Sequence, residues 1–432
     1  MLEDCDTHEL IEHVQIIFED GKLHQELLDA KGDNAQEWLD SLQKLADSTA
    51  VLTPFRATIL KTTTRLSANA GLCPRSLVIR NVQMEGKYPF IGGGSGDVWC
   101  GRIREPDGTQ IVSVKVVKIY QTSDVQALFN EYFREAIVWK PLSHPNILPL
   151  LGVYFLDEEI RRPGLVSPWM ARGNLVQYLK DTPRGSVNQL SLIRDVASGL
   201  SYLHLKKVVH ADLKGANILI TPSLTACICD FGLSRIAGSQ TLELSSSTPR
   251  AMGTLRWMAR ELFLEHATAT RESDIYAFGC VCYEIITGRI PYHEIKKEAA
   301  VLAEKMNYRH PSRPADLPRS STTEAIWTLM EECWESNPSE RPSASTILLQ
   351  RVPEMEKSTR KVAGRKLLVF LQGEGECCGV LRGYDLESFL QETHPGRKIF
   401  LGIVVDRDDS MMGKESSEKS TVNANRQSES LQ

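Results

Sequence analysis

The sequence predicts an α+β protein of two lobes, a small antiparallel sheet followed by a mainly helical part, with a small helical unit in front. From about residue 77 to 120, short β-branched runs alternate with Gly, Pro and Asp, which indicates antiparallel strands. From about residue 126 to 350, apolar residues recur at helical spacing. Strands that precede helices favour this plan over an alternating βαβ plan.

Composition narrows the classes of protein before any motif is considered. The 432 residues include 50 basic and 55 acidic side chains, a net charge of −5, and 42% hydrophobic residues. This balance is typical of a globular chain of two to four domains and argues against a nucleic-acid-binding protein. No window holds 18 apolar residues, so no membrane span is predicted, and the acidic N-terminus does not resemble a signal peptide.

The ten cysteines are scattered along the chain and form no C-x-x-C pair. In a chain of this size, such usage predicts neither a zinc ribbon nor a disulfide scaffold, and it favours a reducing compartment. We therefore expect a cytoplasmic location.

Residues 1–76 are predicted to form a helical N-terminal region. A broken apolar stripe covers residues 9–30, and a clearer one covers residues 34–47, where Asn34 is the expected N-cap. Apolar helical stripes usually serve a core, so packing against the rest of the chain is favoured. The alternative is that these helices recruit a protein partner.

The third predicted helix, residues 54–70, has the strongest boundary signals. Thr53 is the expected N-cap, Pro54 occupies the first turn, and Gly71 follows the end. Its predicted buried face consists of three apolar side chains, Phe55, Ile59 and Leu66.

A glycine-rich stretch at residues 92–101 (GGGSGDVWCG) follows a short apolar run. Glycine lets backbone amides approach phosphate oxygens without a Cβ in the way. The stretch lacks the G-K-[ST] ending of a Walker A loop, since Asp97 and Val98 stand there. A strand rather than a helix follows, unlike a dinucleotide-binding turn. A glycine loop between two antiparallel strands is typical of protein kinases.

Two charged residues after the loop fit the same arrangement. Residues 112–115 (VSVK) match the strand motif V-A-I-K, which directs Lys115 toward the α- and β-phosphates of a nucleotide. The helical segment 131–139 carries Glu135 as the expected ion-pair partner of Lys115. Without the surrounding motifs, a solvated surface pair would be the simpler interpretation.

Two stretches indicate phosphoryl-transfer chemistry: residues 208–220 (VVHADLKGANILI) and residues 227–235 (CICDFGLSR). Phosphoryl transfer needs an aspartate beside the acceptor hydroxyl, an asparagine five residues later for Mg²⁺, and a D-F-G aspartate that also binds Mg²⁺. Asp212, Asn217 and Asp230 have these spacings. The joint order of all these motifs, from the glycine loop to residue 235, extends over about 140 residues and is much more specific than any single match.

Segment 84–352 therefore resembles a eukaryotic protein kinase catalytic domain, and stretches such as HPNILPLLG, DIYAFG and CWESNPSERP agree. The resemblance implies a bilobal protein kinase fold with an N-lobe (84–166), a hinge (167–173) and a C-lobe (174–352). The W-M before A-x-E and the C-W…R-P ending resemble the tyrosine-kinase-like group. H-A-D-L-K-G-A-N together with S-P-W-M resembles the expanded kinases of mushroom-forming fungi.

The resemblance implies a Mg²⁺- and ATP-dependent enzyme that phosphorylates proteins in intracellular signalling. The loop reads D-L-K-x-x-N, which resembles kinases specific for serine and threonine. Asp212 would accept the proton of the acceptor hydroxyl, and Lys214 would contact the γ-phosphate. Thr254, which follows Gly253, would help to hold the loop.

The resemblance also assigns a nucleotide site. Ser167 would be the gatekeeper, and the hinge residues from Pro168 through Trp169 to Met170 would bind the adenine edge. The other expected contacts come from the glycine loop and from residues that cover the faces of the base: Ile91, Gly92, Gly93, Gly94, Ser95, Gly96, Val98, Ser113 and Leu219.

Structural roles follow from the resemblance for a few other residues. Glu261 and Arg341 would form an ion pair in the C-lobe, and Asp274 would brace the catalytic loop. Cys229, directly before Asp230, is expected to be a buried packing residue rather than a reactive thiol.

Three positions depart from the pattern. Ile91 stands where the first glycine of G-x-G-x-x-G is expected, and a β-branched residue there disfavours a positive φ. Ala211 replaces the arginine that pairs with a phosphate on the activation loop, so we expect activity without phosphorylation of the hydroxyl-rich segment 239–248. Arg260 replaces the proline of A-P-E.

These departures keep an alternative open, a pseudokinase scaffold that binds partners through its N-terminal helices with weak or no catalysis. Ile91 and Arg260 favour that alternative. The complete set of phosphate-, metal- and proton-handling residues favours the enzyme. A third possibility, an ATP-grasp enzyme or an NTPase unrelated to kinases, lacks the motifs of those proteins.

The C-terminal part of the sequence is less informative. Residues 353–405 receive no functional assignment, although 366–372 and 398–405 are predicted strands. Residues 406–432 are rich in Ser, Glu, Lys and Asn and are predicted to be a disordered tail.

Overall fold

The computed structural model describes most of the chain and divides it into two compact units, Met1–Glu356 and Lys357–Gln432. The residues described are 7–48, 50–93, 96–106, 108–119, 124–156, 161–231, 235–236, 254–356, 365–371, 377–381 and 399–405. Several positions singled out from the sequence lie outside them: Gly94, Ser95, Gly253, segment 239–248 and the tail 406–432.

Four helices open the first unit: α1 (Thr7–Glu19), α2 (Gly21–Leu28), α3 (Gly32–Asp47) and α4 (Thr53–Ala70). We call residues 7–70 the N-terminal helical unit. Its apolar stripes are buried, with Leu39 and Leu42 of α3 and Ile59 and Leu66 of α4 fully inside. Full burial of such a side chain contributes roughly 1.5–3 kcal/mol, so this packing stabilises the helices. The predicted helical N-terminal region is confirmed.

Two of the predicted N-caps are wrong, by three residues in α3 and by one residue in α4. Helix α3 begins at Gly32, whose positive φ of 56° places the turn ahead of Asn34, so Asn34 lies inside the first turn and is not the cap. Thr53 is the first residue of α4, and Leu52 occupies the cap position without a side-chain bond. Gly71 ends α4 in the left-handed conformation, as predicted (φ 69°).

The N-lobe is built on an antiparallel sheet in the spatial order β1-β3-β4-β6-β5, with β2 paired to β3. Its strands are β1 (Val82–Met84), β2 (Ile91–Gly93), β3 (Gly96–Glu105), β4 (Gly108–Val116), β5 (Gly152–Leu156) and β6 (Arg162–Pro168). Val112, Val114 and Val116 alternate into the core along β4, as a half-buried strand requires. Helix α5 (Val125–Trp139) packs against this sheet.

The C-lobe is mainly helical, with α6 (Leu175–Asp181), α7 (Gln189–Leu205), α8 (Arg271–Thr287), α9 (Glu298–Met306), α10 (Ser321–Cys333) and α11 (Ala344–Thr346). Two antiparallel strand pairs lie at its upper part: β7 (Val208–Val209) with β10 (Arg235–Ile236), and β8 (Ile218–Ile220) with β9 (Ala226–Ile228). The predicted two-lobed α+β fold is confirmed.

Helix α8 is the centre of the C-lobe. Every residue from Ser273 to Thr287 is buried, so the helix shows no polar face. Its capping box at Thr270 and Ser273 fixes the start of the helix, directly before Asp274. In the described ranges, no helix is long and apolar enough to cross a membrane.

The second unit contains three antiparallel strands in the order β12-β11-β13. They are β11 (Arg365–Leu371), β12 (Cys377–Leu381) and β13 (Ile399–Val405). The two strands predicted at 366–372 and 398–405 are confirmed, each within one residue.

Candidate active site

The catalytic loop joins β7 to β8 and is fixed from below by Asp274 of α8. The Asp274 carboxylate accepts the backbone N–H of His210 at 2.8 Å and that of Ala211 at 2.9 Å, and it also contacts His204 Nε2 at 3.0 Å. These bonds hold Ala211 at a φ of +67°, a strained conformation that surrounding contacts must enforce. The predicted bracing role of Asp274 is confirmed.

Four predicted residues meet directly above this brace. Lys214 Nζ lies 3.0 and 2.8 Å from the two carboxylate oxygens of Asp212, and 2.8 Å from Thr254 Oγ1. Asn217 Nδ2 donates to the Asp212 carbonyl at 2.8 Å and to Asp212 Oδ2 at 2.9 Å. Asp212 is only 5% exposed, so these contacts fix its orientation in a site with little water.

A second cluster of charges faces the first from the N-lobe. Lys115 Nζ lies 3.1 Å from Glu135 Oε1 and 2.7 Å from Asp230 Oδ1, so the predicted contact of Lys115 with Glu135 is present. Burial alone would lower the pKa of Lys115, but the Asp230 and Glu135 carboxylates outweigh it and raise that pKa. Lys115 is therefore a permanent cation between two anions.

The phenylalanine after Asp230 ties the two clusters together. Phe231 is fully buried, 5.3 Å from the ring of Trp139 at the end of α5 and 5.5 Å from the ring of His210. His210 Nδ1 accepts the Asp212 N–H at 3.3 Å and Nε2 donates to the Cys229 carbonyl at 3.0 Å. This inward packing of Phe231 is the arrangement of a D-F-G segment in which the aspartate faces the site.

A cavity of about 530 Å³ lies between the lobes, over these clusters. The structure brings together around it most of the residues predicted from the sequence: Ile91, Val98, Ser113, Lys115, Glu135, Ser167, Trp169, Met170, Asp212, Lys214, Asn217, Leu219 and Asp230. Such a volume suits a drug-sized or nucleotide-sized ligand. Trp169 N donates to the Ile111 carbonyl at 3.1 Å, which extends the sheet into the hinge.

The glycine loop forms the hairpin of β2 and β3. Ile91 pairs with Val98, Gly92 with Asp97, and Gly93 with Gly96. A Cβ on Gly96 would come within 2.7 Å of Tyr132 Oη, and its φ is +139°, so this position requires glycine. Ile91 is in regular strand conformation, which removes the conformational objection to isoleucine there.

Sequence reasoning missed two residues of the site. Phe90 lines the cavity and packs edge-on against Trp169, with ring centroids 4.9 Å apart. Its position directly before the glycine loop was the sequence feature that could have indicated this role. Glu284 of α8 is buried and its Oε2 accepts both Gly215 N and Trp257 Nε1 at 2.8 Å. In the sequence, Glu284 could have been noticed because it is the only charged residue in the apolar run 275–287.

Burial raises the pKa of Glu284 to about 7, although the bonds from Trp257 and Gly215 and the charge of Lys214 oppose the rise. Burial likewise raises the pKa of Cys229, in agreement with the predicted packing role. 

Two other predictions concern the A-x-E segment. Arg341 forms a bidentate pair with Glu261 at 2.5 and 3.0 Å, so the predicted C-lobe ion pair is confirmed. The Arg260 guanidinium, at the position of the expected proline, lies over the Tyr308 ring at 4.0 Å from the centroid.

Comparison with known proteins agrees with this geometry. Residues 89–350 match the family described as protein tyrosine and serine/threonine kinase. Relatives from Arabidopsis thaliana include the serine/threonine-protein kinase CTR1 (33% identity over 239 residues) and the serine/threonine/tyrosine-protein kinase HT1 (30% identity over 267 residues). The human tyrosine-protein kinase FRK is 29% identical over 262 residues.

These alignments cover 54%, 60% and 60% of this chain, and 28%, 63% and 48% of CTR1, HT1 and FRK. The chain therefore spans less than two thirds of the length of each of these relatives. The family match, by contrast, covers more than half of the chain and includes both charge clusters and the cavity between them. The chain belongs to the protein tyrosine and serine/threonine kinase family.

Proposed function

We propose that this protein is a Mg²⁺- and ATP-dependent kinase that transfers the γ-phosphoryl group to serine and threonine hydroxyls of proteins. The observation that carries the proposal is the position of Lys214, whose ammonium joins the Asp212 carboxylate to the Thr254 hydroxyl. This contact places Thr254 beside Asp212, and we infer from it that the acceptor site is shallow. A short serine or threonine side chain fits such a site better than tyrosine does.

Each charged side chain of the site has one role in the phosphoryl transfer. The acceptor hydroxyl attacks the γ-phosphorus, its proton passes to an Asp212 oxygen, and the bond to the β-phosphate oxygen breaks to release ADP. Lys115 and Lys214 offset the phosphate charge, and Glu135 orients Lys115. Positioning and charge neutralisation supply most of the rate enhancement in this class of reaction.

Asn217 and Asp230 would hold Mg²⁺. The Asn217 amide nitrogen is held by Asp212, which leaves the amide oxygen as the cation donor, and Asp230 supplies a carboxylate. Oxygen donors of this kind suit Mg²⁺, so the residues fit the ion. When bound, Mg²⁺ neutralises charge that develops on the phosphates.

Nucleotide contacts are assigned by their place around the cavity. Ser167, Trp169 and Met170 belong to the hinge side, where backbone groups would bind the adenine edge. Val98 and Ser113 would cover one face of the base and Leu219 the other. The hairpin residues from Ile91 to Gly96 would cover the phosphates, and Phe90 extends this cover toward the hinge.

The finer identity of the chain rests on the same residues. We propose a kinase domain at 84–352, with the hinge at 167–173, and the family match at 89–350 supports these limits. A likeness to the kinases of mushroom-forming fungi stays a prediction from H-A-D-L-K-G-A-N. A cytoplasmic location is supported by the seven described cysteines of the first unit, which are free thiols.

The test is phosphorylation by the purified full chain. We would incubate it with Mg²⁺, labelled ATP and a basic acceptor protein, beside Asp212→Asn, and identify the labelled amino acids. We expect label on serine and threonine and a fall of about 10²–10⁴-fold in kcat for Asp212→Asn, since the general base is lost.

Each other outcome contradicts part of the proposal. Equal labelling by both proteins, or labelling by neither, would favour the scaffold alternative. Label on tyrosine would retain the kinase and overturn the serine/threonine specificity.

A further inference from the structure

The outer side of helix α5 is covered by the chain's own helix α4, which packs against it. At one end, Asn130 Nδ2 of α5 donates to the Ala68 carbonyl at 3.3 Å, and Gln126 Nε2 donates to Asn130 Oδ1 at 2.9 Å. The Ala68 carbonyl belongs to the last turn of α4, where backbone acceptors lack partners within the helix. The amide pair on α5 therefore caps the end of α4.

Close approach at this end also depends on the glycine that terminates α4. A Cβ at Gly71 would lie 3.0 Å from Gln126 Nε2, which is closer than side chains normally approach. The first turn of α5 thus lies directly against the end of α4.

The opposite ends of the two helices also lie close together, near Asp47 at the end of α3. Burial raises the pKa of Asp47 at the end of α3; the bond from Gln43 and the charges of Lys140 and Arg56 oppose that rise. Lys140 follows α5 and Arg56 lies in the first turn of α4, so the two helices run antiparallel to each other.

Helix α4 also reaches the C-lobe. Burial, and secondarily the charge of Arg56, lower the pKa of Lys206, which directly follows α7. Helix α4 contacts β10 of the C-lobe too. The N-terminal helical unit thus bridges α5 of the N-lobe and the C-lobe.

The segment after α4 attaches the unit to the sheet. Ile79 N donates to the Val153 carbonyl at 2.8 Å beside a parallel bridge between Val78 and Val153. Gly152 has no room for a Cβ because the Leu77 carbonyl lies against it. The chain is therefore anchored to the sheet shortly after α4 ends.

The inner side of α5 carries the groups that shape the site. Glu135 contacts Lys115, the Tyr132 hydroxyl lies against Gly96 of the glycine loop, and Trp139 packs on Phe231. A rotation or outward shift of α5 would move all three together.

We propose that the N-terminal helical unit is a positioning element for α5, which keeps Glu135 on Lys115 and Tyr132 against the glycine loop. The inference deepens the proposed function and rests on it for its effect on phosphoryl transfer. Gln126 and Asn130 are positioning residues that act through Glu135 and Tyr132.

The test uses the full chain with Gln126→Ala and Asn130→Ala combined. The control is Gln25→Ala with Asp29→Ala, a solvent-exposed amide–carboxylate pair four residues apart in the same unit, in which Gln25 lies in α2 and Asp29 is its C-cap. We would measure hydrogen exchange of α5 and α8 amides, kcat, and KM for ATP at a temperature where all variants are folded.

We expect the α5 variant to exchange α5 amides several-fold faster with α8 unchanged, to raise KM for ATP, and to lower kcat about fivefold. The control should match the wild type. Unchanged exchange in α5, or faster exchange with unchanged kinetics, would overturn the proposal. Equal effects of the control pair would show general destabilisation and would overturn it too.

The exchange measurement separates this inference from the proposed function. If the wild type transfers no phosphate, the proposed function fails by itself. Faster exchange confined to α5 would then still support the positioning of α5 by the unit, and unchanged exchange would still overturn it.

Discussion

The catalytic loop and helix α5 carry the two halves of the site, and they are held in different ways. The loop is fixed from inside by two fully buried carboxylates of α8, Asp274 and Glu284. Helix α5 is held from outside, partly through solvent-exposed hydrogen bonds of Gln126 and Asn130. Buried hydrogen bonds cost much more to lose than exposed ones. We therefore expect the catalytic loop to be held more rigidly than α5.

The largest effect is expected from breaking the inner brace with Asp274→Asn. Three donors meet this carboxylate, and in either orientation the amide group would turn a donor toward at least one of them. We expect the free energy of unfolding to fall by roughly 2–5 kcal/mol and kcat to fall about tenfold, because the backbone before Asp212 loses its anchor. Denaturant melts and initial rates at low temperature measure both.

Asp316→Asn provides the control, because this exposed aspartate pairs with Arg289 on the surface. It should leave the denaturant midpoint essentially unchanged, because exposed ion pairs contribute little to stability. If Asp274→Asn changed stability and kcat as little as Asp316→Asn does, the catalytic loop would not be held more rigidly than α5, and the comparison would be wrong.

Glu284 predicts a pH dependence of stability. Its pKa is raised to about 7 from an ordinary value near 4.5, so between these values the folded state binds more protons than the unfolded state. The contribution of Glu284 therefore becomes less favourable as pH rises from about 4.5 to 7, by on the order of 3 kcal/mol in total. Among the described atoms, Glu284 Oε1 is buried without a hydrogen-bond partner, so no donor at this oxygen stabilises the charged carboxylate.

Glu284→Gln should remove this slope, because glutamine resembles the protonated acid and its oxygen can still accept from Trp257 and Gly215. Activity at neutral pH should stay within a few-fold of the wild type. Urea melts from pH 5 to 7.5 measure the slope, with the surface variant Glu304→Gln as control. A slope that persists in Glu284→Gln would assign the titration to another group.

The same contrast explains what the sequence could and could not predict. The catalytic loop was predictable because phosphoryl transfer demands Asp212, Asn217 and Asp230 at fixed spacings. The pairing of α4 with α5 was not, because an apolar helical stripe indicates that a helix is buried but not which helix it meets. Glu284 was missed since a carboxylate that serves as a buried acceptor has no spacing pattern, and the misplaced cap at Asn34 reflects the turn made by Gly32.

The smallest effect is expected on the loop itself, from phosphatase treatment. Ala211 stands where an arginine would await a phosphate, and its N–H is bound to Asp274. With no cation at this position, no buried charge needs an anion, so treatment should change kcat by less than about twofold. Ala211→Arg should introduce that dependence without adding backbone strain, since position 211 already holds a Cβ at positive φ. Initial rates of the wild type and of Ala211→Arg, measured before and after phosphatase treatment, test this prediction. A large loss of wild-type activity would mean that the buried brace does not suffice to hold the catalytic loop.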